Sequence, residues 1–212
     1  LYKRLAALAY DVHNTYGEQP GTPEIDEMLL YKHLKPLGRT TAAELIPYLS
    51  ENAGVLVSPG QGEEETDVFH FAHRTFQEYL AASHIASECQ AADSYGLLGE
   101  LLTSKAQSWR VPGLLVGDVL ADTGRRSELW ALIGDLLEAD PPSVGADPRW
   151  WLCWMSGEIA VEQELHLQEK LHPRREQPIR EGLIEWLVAL IETAGALEPV
   201  ERAVCGRVLG LL

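Results

Sequence analysis

The hydrophobic period of this chain changes twice within its first ninety residues, and that change constrains the fold more than any other feature. Leu1, Leu5, Leu8, Ala9 and Val12 recur at helical spacing and stop before Gly17, Pro20 and Gly21, which predicts a first helix over Leu1–Tyr16. Thr22-Pro-Glu-Ile reads as a cap with proline in the first turn, opening a second helix to about His33. Thr40 or Thr41 is placed to cap a third through Asn52, with Leu45, Ile46 and Leu49 inward and a kink at Pro47. After Gly54 the pattern turns strand-like. Val55-Leu-Val and Val68-Phe-His-Phe flank the polar run Pro59-Gly-Gln-Gly-Glu-Glu-Glu, a hairpin with a long loop. A long helix follows over about Arg74–Ala91, with Phe76, Tyr79, Leu80, Ala82, Ile85 and Ala86 at spacings of three and four. Three helices, a hairpin and a further helix are the order of a winged helix.

From Asp93 onward no strand alternation is legible. Helices are expected over Tyr95–Gln107, Val111–Asp122, Ser127–Ala139, Pro148–Leu165, Pro178–Ala194 and Pro199–Leu212, with Pro112, Pro178 and Pro199 in first turns and Gly124 and Gly195 just past helix ends. The fold class expected is therefore mainly α with one β-hairpin. A winged-helix domain over 1–92 precedes a helical, HEAT-like α-solenoid domain over 93–212, although no repeat period is readable. The chain opens on Leu-Tyr-Lys-Arg without an initiator methionine and ends inside a helical pattern, so it reads as a piece of a longer protein. All six tryptophans lie in the second half, and most are expected in the core. Trp150 and Trp154 share a helix face; Trp151 points elsewhere and is a candidate contact residue.

Composition narrows the function classes. A formal net charge of −15 works against binding nucleic acid or an anionic membrane. The expected third helix carries Glu44 and Glu51, and the expected wing tip carries Glu63, Glu64 and Glu65, so both surfaces that a winged helix offers to DNA are acidic. Three cysteines, Cys89, Cys153 and Cys205, lie far apart and form no C-x-x-C pair, as in a reducing, cytoplasmic setting. No apolar stretch reaches the length of a membrane span. The phosphate-cradling G-x-x-x-x-G-K-[ST] loop is absent, and Gly38-Arg-Thr-Thr lacks its lysine. No serine or cysteine sits in a nucleophile elbow. His70 and His73, with His84 or Glu78, and the pair His166 and His172 do not have the spacing of a metal site. No catalytic and no metal-ligating residue is assigned.

The segment Phe69-His-Phe-Ala-His-Arg-Thr-Phe-Gln-Glu-Tyr-Leu-Ala-Ala is the most informative in the chain. It resembles the winged-helix motif of NACHT proteins, a branch of the STAND signalling ATPases, at Phe71, His73, Thr75, Phe76, Gln77, Glu78, Tyr79, Ala81 and Ala82. Ser108-Trp-Arg-Val-Pro-Gly-Leu-Leu-Val-Gly and Ser156-Gly-Glu-Ile are similar to the helices that follow the module in bacterial members. The resemblance implies a regulatory fragment rather than an enzyme, within a parent that binds ADP or ATP. It implies that His73 reaches the phosphate of ADP, with a weaker contribution from Arg74. The implied partners are an upstream NTPase domain in cis, a downstream sensor or effector domain, and further protomers on activation. From the residues alone His73 serves equally as a helix cap or gap filler, Arg74 as a solvated first-turn residue, and the chain as a helical interaction scaffold with no nucleotide role.

Overall fold

The computed structural model describes residues 1–61, 67–92, 94–168 and 170–212. The chain divides into two compact units, Leu1–Ile85 and Ala86–Leu212.

In the first unit, helix α1 (Tyr2–Tyr16) buries Leu5, Leu8, Ala9 and Val12, the stripe that its spacing predicted. The second helix does not begin at Thr22. Residues before a proline are biased to extended backbone, and the segment after Pro23 instead forms a two-residue strand, β1 (Ile25–Asp26). Asp26 then caps α2 (Glu27–Leu34), its Oδ1 accepting the Leu29 N–H at 2.6 Å. Helix α3 spans Arg39–Pro47 from an N-cap at Gly38, two residues before the expected start. Gly38 has φ 114°, a value that glycine tolerates without strain. Pro47 ends the regular α-helix. Having no N–H, it leaves the α ladder broken, and the next turn widens: the Ala53 N–H reaches the Tyr48 carbonyl five residues back at 2.8 Å.

Strands β2 (Leu56–Gln61) and β3 (Asp67–Phe71) form the expected hairpin, with an irregularity between Val57 and Gly60. The sheet has three strands rather than two, in the order β1-β3-β2, because Ile25 pairs with Phe69 and Asp26 with Val68. The acidic wing tip at Glu63, Glu64 and Glu65 falls outside the described residues. Helix α4 (Arg74–Ala92) follows the sheet. It lies along α1, where the Tyr2 hydroxyl donates to Ser83 Oγ at 2.7 Å and the Tyr10 and His84 rings meet at 4.8 Å.

The helix α1 also meets α2 through His33 Nε2 and Asp11 Oδ2, 3.0 Å apart. Burial lowers the His33 pKa from its ordinary 6.5, with Asp11 pulling the other way. The folded unit therefore takes up the proton less readily than the unfolded chain. This contribution to stability is present above the unfolded value and is lost as pH falls below it. Unfolding by urea at about pH 7.5 and about pH 5.5 should show this loss, and His33→Gln should flatten it.

In the second unit, α5 (Gly96–Asp122) is two helical segments joined at a break at Lys105 (φ −144°, ψ 47°), as the two expected helices require, with the break slightly earlier than the sequence placed it. Pro112 consequently lies inside the helix and not in a first turn. Helices α6 (Leu129–Leu136), α7 (Trp150–Glu162), α8 (Glu176–Glu192) and α9 (Pro199–Leu209) follow; α6, α7 and α9 are shorter than their apolar patterns suggested, and α8 has the expected length but begins two residues earlier. The extensive helix pairings from α5 onward join neighbours or next neighbours in sequence: α5 with α6 and α7, α6 with α7 and α8, α7 with α8 and α9, and α8 with α9. Among the described residues, no helix is long and apolar enough to cross a membrane.

Tight crossings explain two motifs of this unit. A Cβ on Gly113 would lie 2.6 Å from Met155 Cε, and one on Gly157 3.2 Å from Val208 Cγ1. The small residues of Val-Pro-Gly-Leu-Leu-Val-Gly and Ser-Gly-Glu-Ile thus let α5 approach α7, and α7 approach α9. At Gly182, inside α8, a Cβ would meet nothing within 4 Å. Gly182→Ala should raise stability by about 1 kcal/mol through helix propensity. At Gly145, in contrast, a Cβ would collide with the Ala194 backbone carbonyl, so Gly145→Ala should cost about 1–3 kcal/mol. Chemical denaturation of the two variants should show opposite signs.

Candidate functional site

The junction of β3 and α4 is the part of the first unit where polar side chains and a helix N-terminus meet. Beyond the strand, the Ala72 N–H donates to the Val55 carbonyl at 3.1 Å and carries the hairpin one residue further. His73 comes next and is exposed. Its carbonyl accepts the N–H groups of Phe76 at 3.1 Å and Gln77 at 3.2 Å, so His73 occupies the capping position of a 19-residue helix. A helix of this length gathers partial positive charge at that end, where an anion is favoured.

Arg74 turns the other way. Its Nε donates to Glu78 Oε1 at 3.0 Å, Nη1 to the carbonyls of Gln19 at 2.6 Å and Gly21 at 2.9 Å, and Nη2 to the carbonyl of Gly17 at 2.6 Å. These carbonyls belong to the loop that leaves α1 and leads to β1. Gly17 must be small, since a Cβ there would fall on the His13 carbonyl oxygen; Gly21 has φ 83°, which favours glycine. Four of the five guanidinium N–H groups are therefore taken by structural partners. The sequence suggested a solvated first-turn residue or a phosphate ligand; in the structure the guanidinium is not free in solvent but clamps the 17–21 carbonyls to α4.

The neighbours divide by helix phase. Gln77 and Glu78 are buried at 1% and 8% exposure, in line with the packing roles expected of them, while Phe76, expected inward, is 40% exposed. Phe76 lies on the far side of α4 from the buried face made by Gln77, Ala81, Ala82 and Ile85. Thr75 and Phe76 thus share the exposed first turn with His73, a grouping that residue type alone did not reveal. Among the described residues no donor reaches the buried Gln77 Oε1.

The remaining histidines do other work. His70 is half-buried on β3 opposite Val57. His166 Nδ1 lies 3.4 Å from the Ala160 carbonyl. Among the described residues, no three His, Cys, Asp or Glu side chains gather as a metal site would require. The three cysteines are free and buried, and burial pushes the Cys89 thiol up to about 11.

If Arg74 is a clamp, its loss leaves Glu78 and the 17–21 carbonyls without their donor. Arg74→Ala should destabilise the chain by about 2–4 kcal/mol. Arg74→Lys should recover only part of that, because an ammonium cannot reproduce the planar fork. Thermal unfolding of both variants checks the order.

A family model described as "Winged helix-turn-helix domain C-terminal to NACHT" matches residues 1–85, the extent of the first compact unit. This match supports the reading of the chain as part of a NACHT-class protein. Neither the curated proteins nor the solved structures contain a match to this chain.

Proposed function

We propose that this chain is the regulatory part of a NACHT-class signalling ATPase, and that its first unit distinguishes ADP from ATP held by an upstream NTPase domain in cis. The observation that carries this reading is the placement of His73. It is exposed at the N-terminus of α4, in a unit that matches a domain found after NACHT. An imidazole N–H and the first backbone N–H groups of the helix are donors suited to a terminal phosphate oxygen, and a phosphate close by favours the protonated ring.

In the resting parent the unit closes over ADP, with His73 on its phosphate. Exchange for ATP removes that contact and releases the unit, which lets protomers assemble. Such a switch requires a contact present in one state and missing in the other, and a histidine-to-phosphate bond supplies one. Arg74 supports the site by fixing the start of α4. The helices from α5 onward are read as a HEAT-like array that passes the motion to a downstream sensor or effector domain. Their pairing with near neighbours in sequence is what supports that reading. The setting is cytoplasmic, and the nucleotide belongs to the intact parent, since the chain itself has no phosphate loop.

DNA binding fits the unit less well. Although α3 begins with Arg39, it carries Glu44, with Glu51 in the turn beyond, and the chain has a net charge of −15. His73→Ala in the intact parent should speed ADP release by roughly tenfold, the loss of one charge-assisted hydrogen bond. The melting temperature of the present chain should not move with that change, because His73 is exposed. Unchanged ADP release in a normally folded parent would refute the nucleotide role and leave an interaction scaffold.

A further inference from the structure

Five of the six tryptophans are buried at 0–4% exposure: Trp109, Trp130, Trp150, Trp154 and Trp186. Trp151 is the sixth, and it is half-buried in the wall of a cleft of about 600 Å³ in the second unit. Two loops complete that cleft. One, before α7, contributes Asp147 and Pro148; the other, before α9, contributes Leu197 and Glu198. The loops meet closely, since a Cβ on Gly145 would stand 2.9 Å from the Gly195 carbonyl carbon. The volume is within the range of small-ligand and side-chain pockets, roughly 300–1,000 Å³.

The charges around the cleft are unevenly committed. Asp147 holds Arg149 at 2.8 Å, and the Arg202 Nη2 donates to the Ile191 carbonyl at 2.5 Å. Glu198 is exposed and lines the same cleft as the tryptophan. The neighbouring indole shows what this surface takes. The Arg110 guanidinium sits 5.0 Å from the Trp154 ring and pairs with Glu201 at 3.2 Å. Trp154 in turn meets Trp151 edge to face at 5.9 Å. Indole, guanidinium and a carboxylate from the start of α9 thus form one filled set. Trp151 and Glu198 supply the indole and the carboxylate of a second.

We infer that the Trp151 cleft is a docking site for an arginine side chain of a partner protein, the guanidinium stacking on the indole and pairing with Glu198. Arginine suits it better than lysine because its planar, weakly hydrated cation stacks on aromatic rings. A net charge of −15 favours approach of a basic partner. The inference does not depend on the nucleotide reading.

The test follows the indole N–H resonances of the intact chain by NMR during titration with N-acetyl-arginine amide, and with the norleucine and glutamate analogues as controls. The Trp151 resonance is assigned by its disappearance in Trp151→Leu, with the Trp109, Trp130 and Trp186 resonances unshifted as the sign that the variant is folded. The arginine amide should shift Trp151 at the lowest concentration. Glu198→Gln, a surface change, should raise the midpoint roughly fivefold. A norleucine response as strong as that of arginine, or a midpoint indifferent to Glu198→Gln, would overturn the cation assignment. No Trp151 shift at the solubility limit of the arginine amide would overturn the site itself.

Discussion

The guanidinium of Arg74 is the contact on which the candidate site depends. Its donors reach three carbonyls more than fifty residues earlier in the chain and a carboxylate one turn along its own helix. A planar fork satisfies those acceptors only in one orientation. The end of α1, the loop toward β1 and the first turn of α4 are therefore fixed together. His73 is the residue before Arg74, so the backbone that carries the exposed imidazole is held by the neighbouring guanidinium. The motif has two adjacent polar residues with opposite duties: one is bound into the fold and the other is left available.

Much of this unit was legible because its signals are local. Leu5, Leu8 and Val12 on α1, the strand-like run at 68–71, and the length of α4 each follow from the periodicity of a single segment. What was not legible is what other segments decide. A two-residue strand has no alternation to read, and β1 exists because β3 presents Val68 and Phe69 to it. The clamp at Arg74 needs acceptors that no sequence neighbour provides. Phe76 looked like a core residue by type, yet helix phase, set by Gln77, Ala81 and Ile85, turns it outward. Pro47 announced a bend; the widened turn after it depends on where Tyr48 and Leu49 find donors.

The second unit shows the same division. Its helices and their number of turns were approximately readable, and so was the burial of most tryptophans. The position of the break at Lys105 was not, since neither glycine nor proline marks it. Around the start of α5, a partly buried network replaces local signals. Tyr95 donates through its hydroxyl to Glu128 at 3.0 Å and through its N–H to Asp135 at 2.8 Å, while Arg125 binds Glu128 and the Ala86 carbonyl. That arginine bond holds the Glu128 carboxyl below its usual range, and burial raises the Tyr95 phenol. The entry to the helical unit is thus tied by hydrogen bonds, and its interior by glycine-mediated crossings against α7.

The two candidate sites make opposite electrostatic demands. The start of α4 offers N–H donors and a partial positive charge, so it discriminates for an anion and against a guanidinium. The cleft at Trp151 offers a ring face and a carboxylate, so it discriminates for a cation and against a phosphate. Each would be silent to the other's ligand. A chain with a net charge of −15 repels anions over its surface as a whole. Under the two proposals, a phosphate would come to His73 bound and partly neutralised by another domain, whereas a basic partner would approach the Trp151 cleft from solution. On that reading the first site would serve contacts within one polypeptide and the second contacts between proteins.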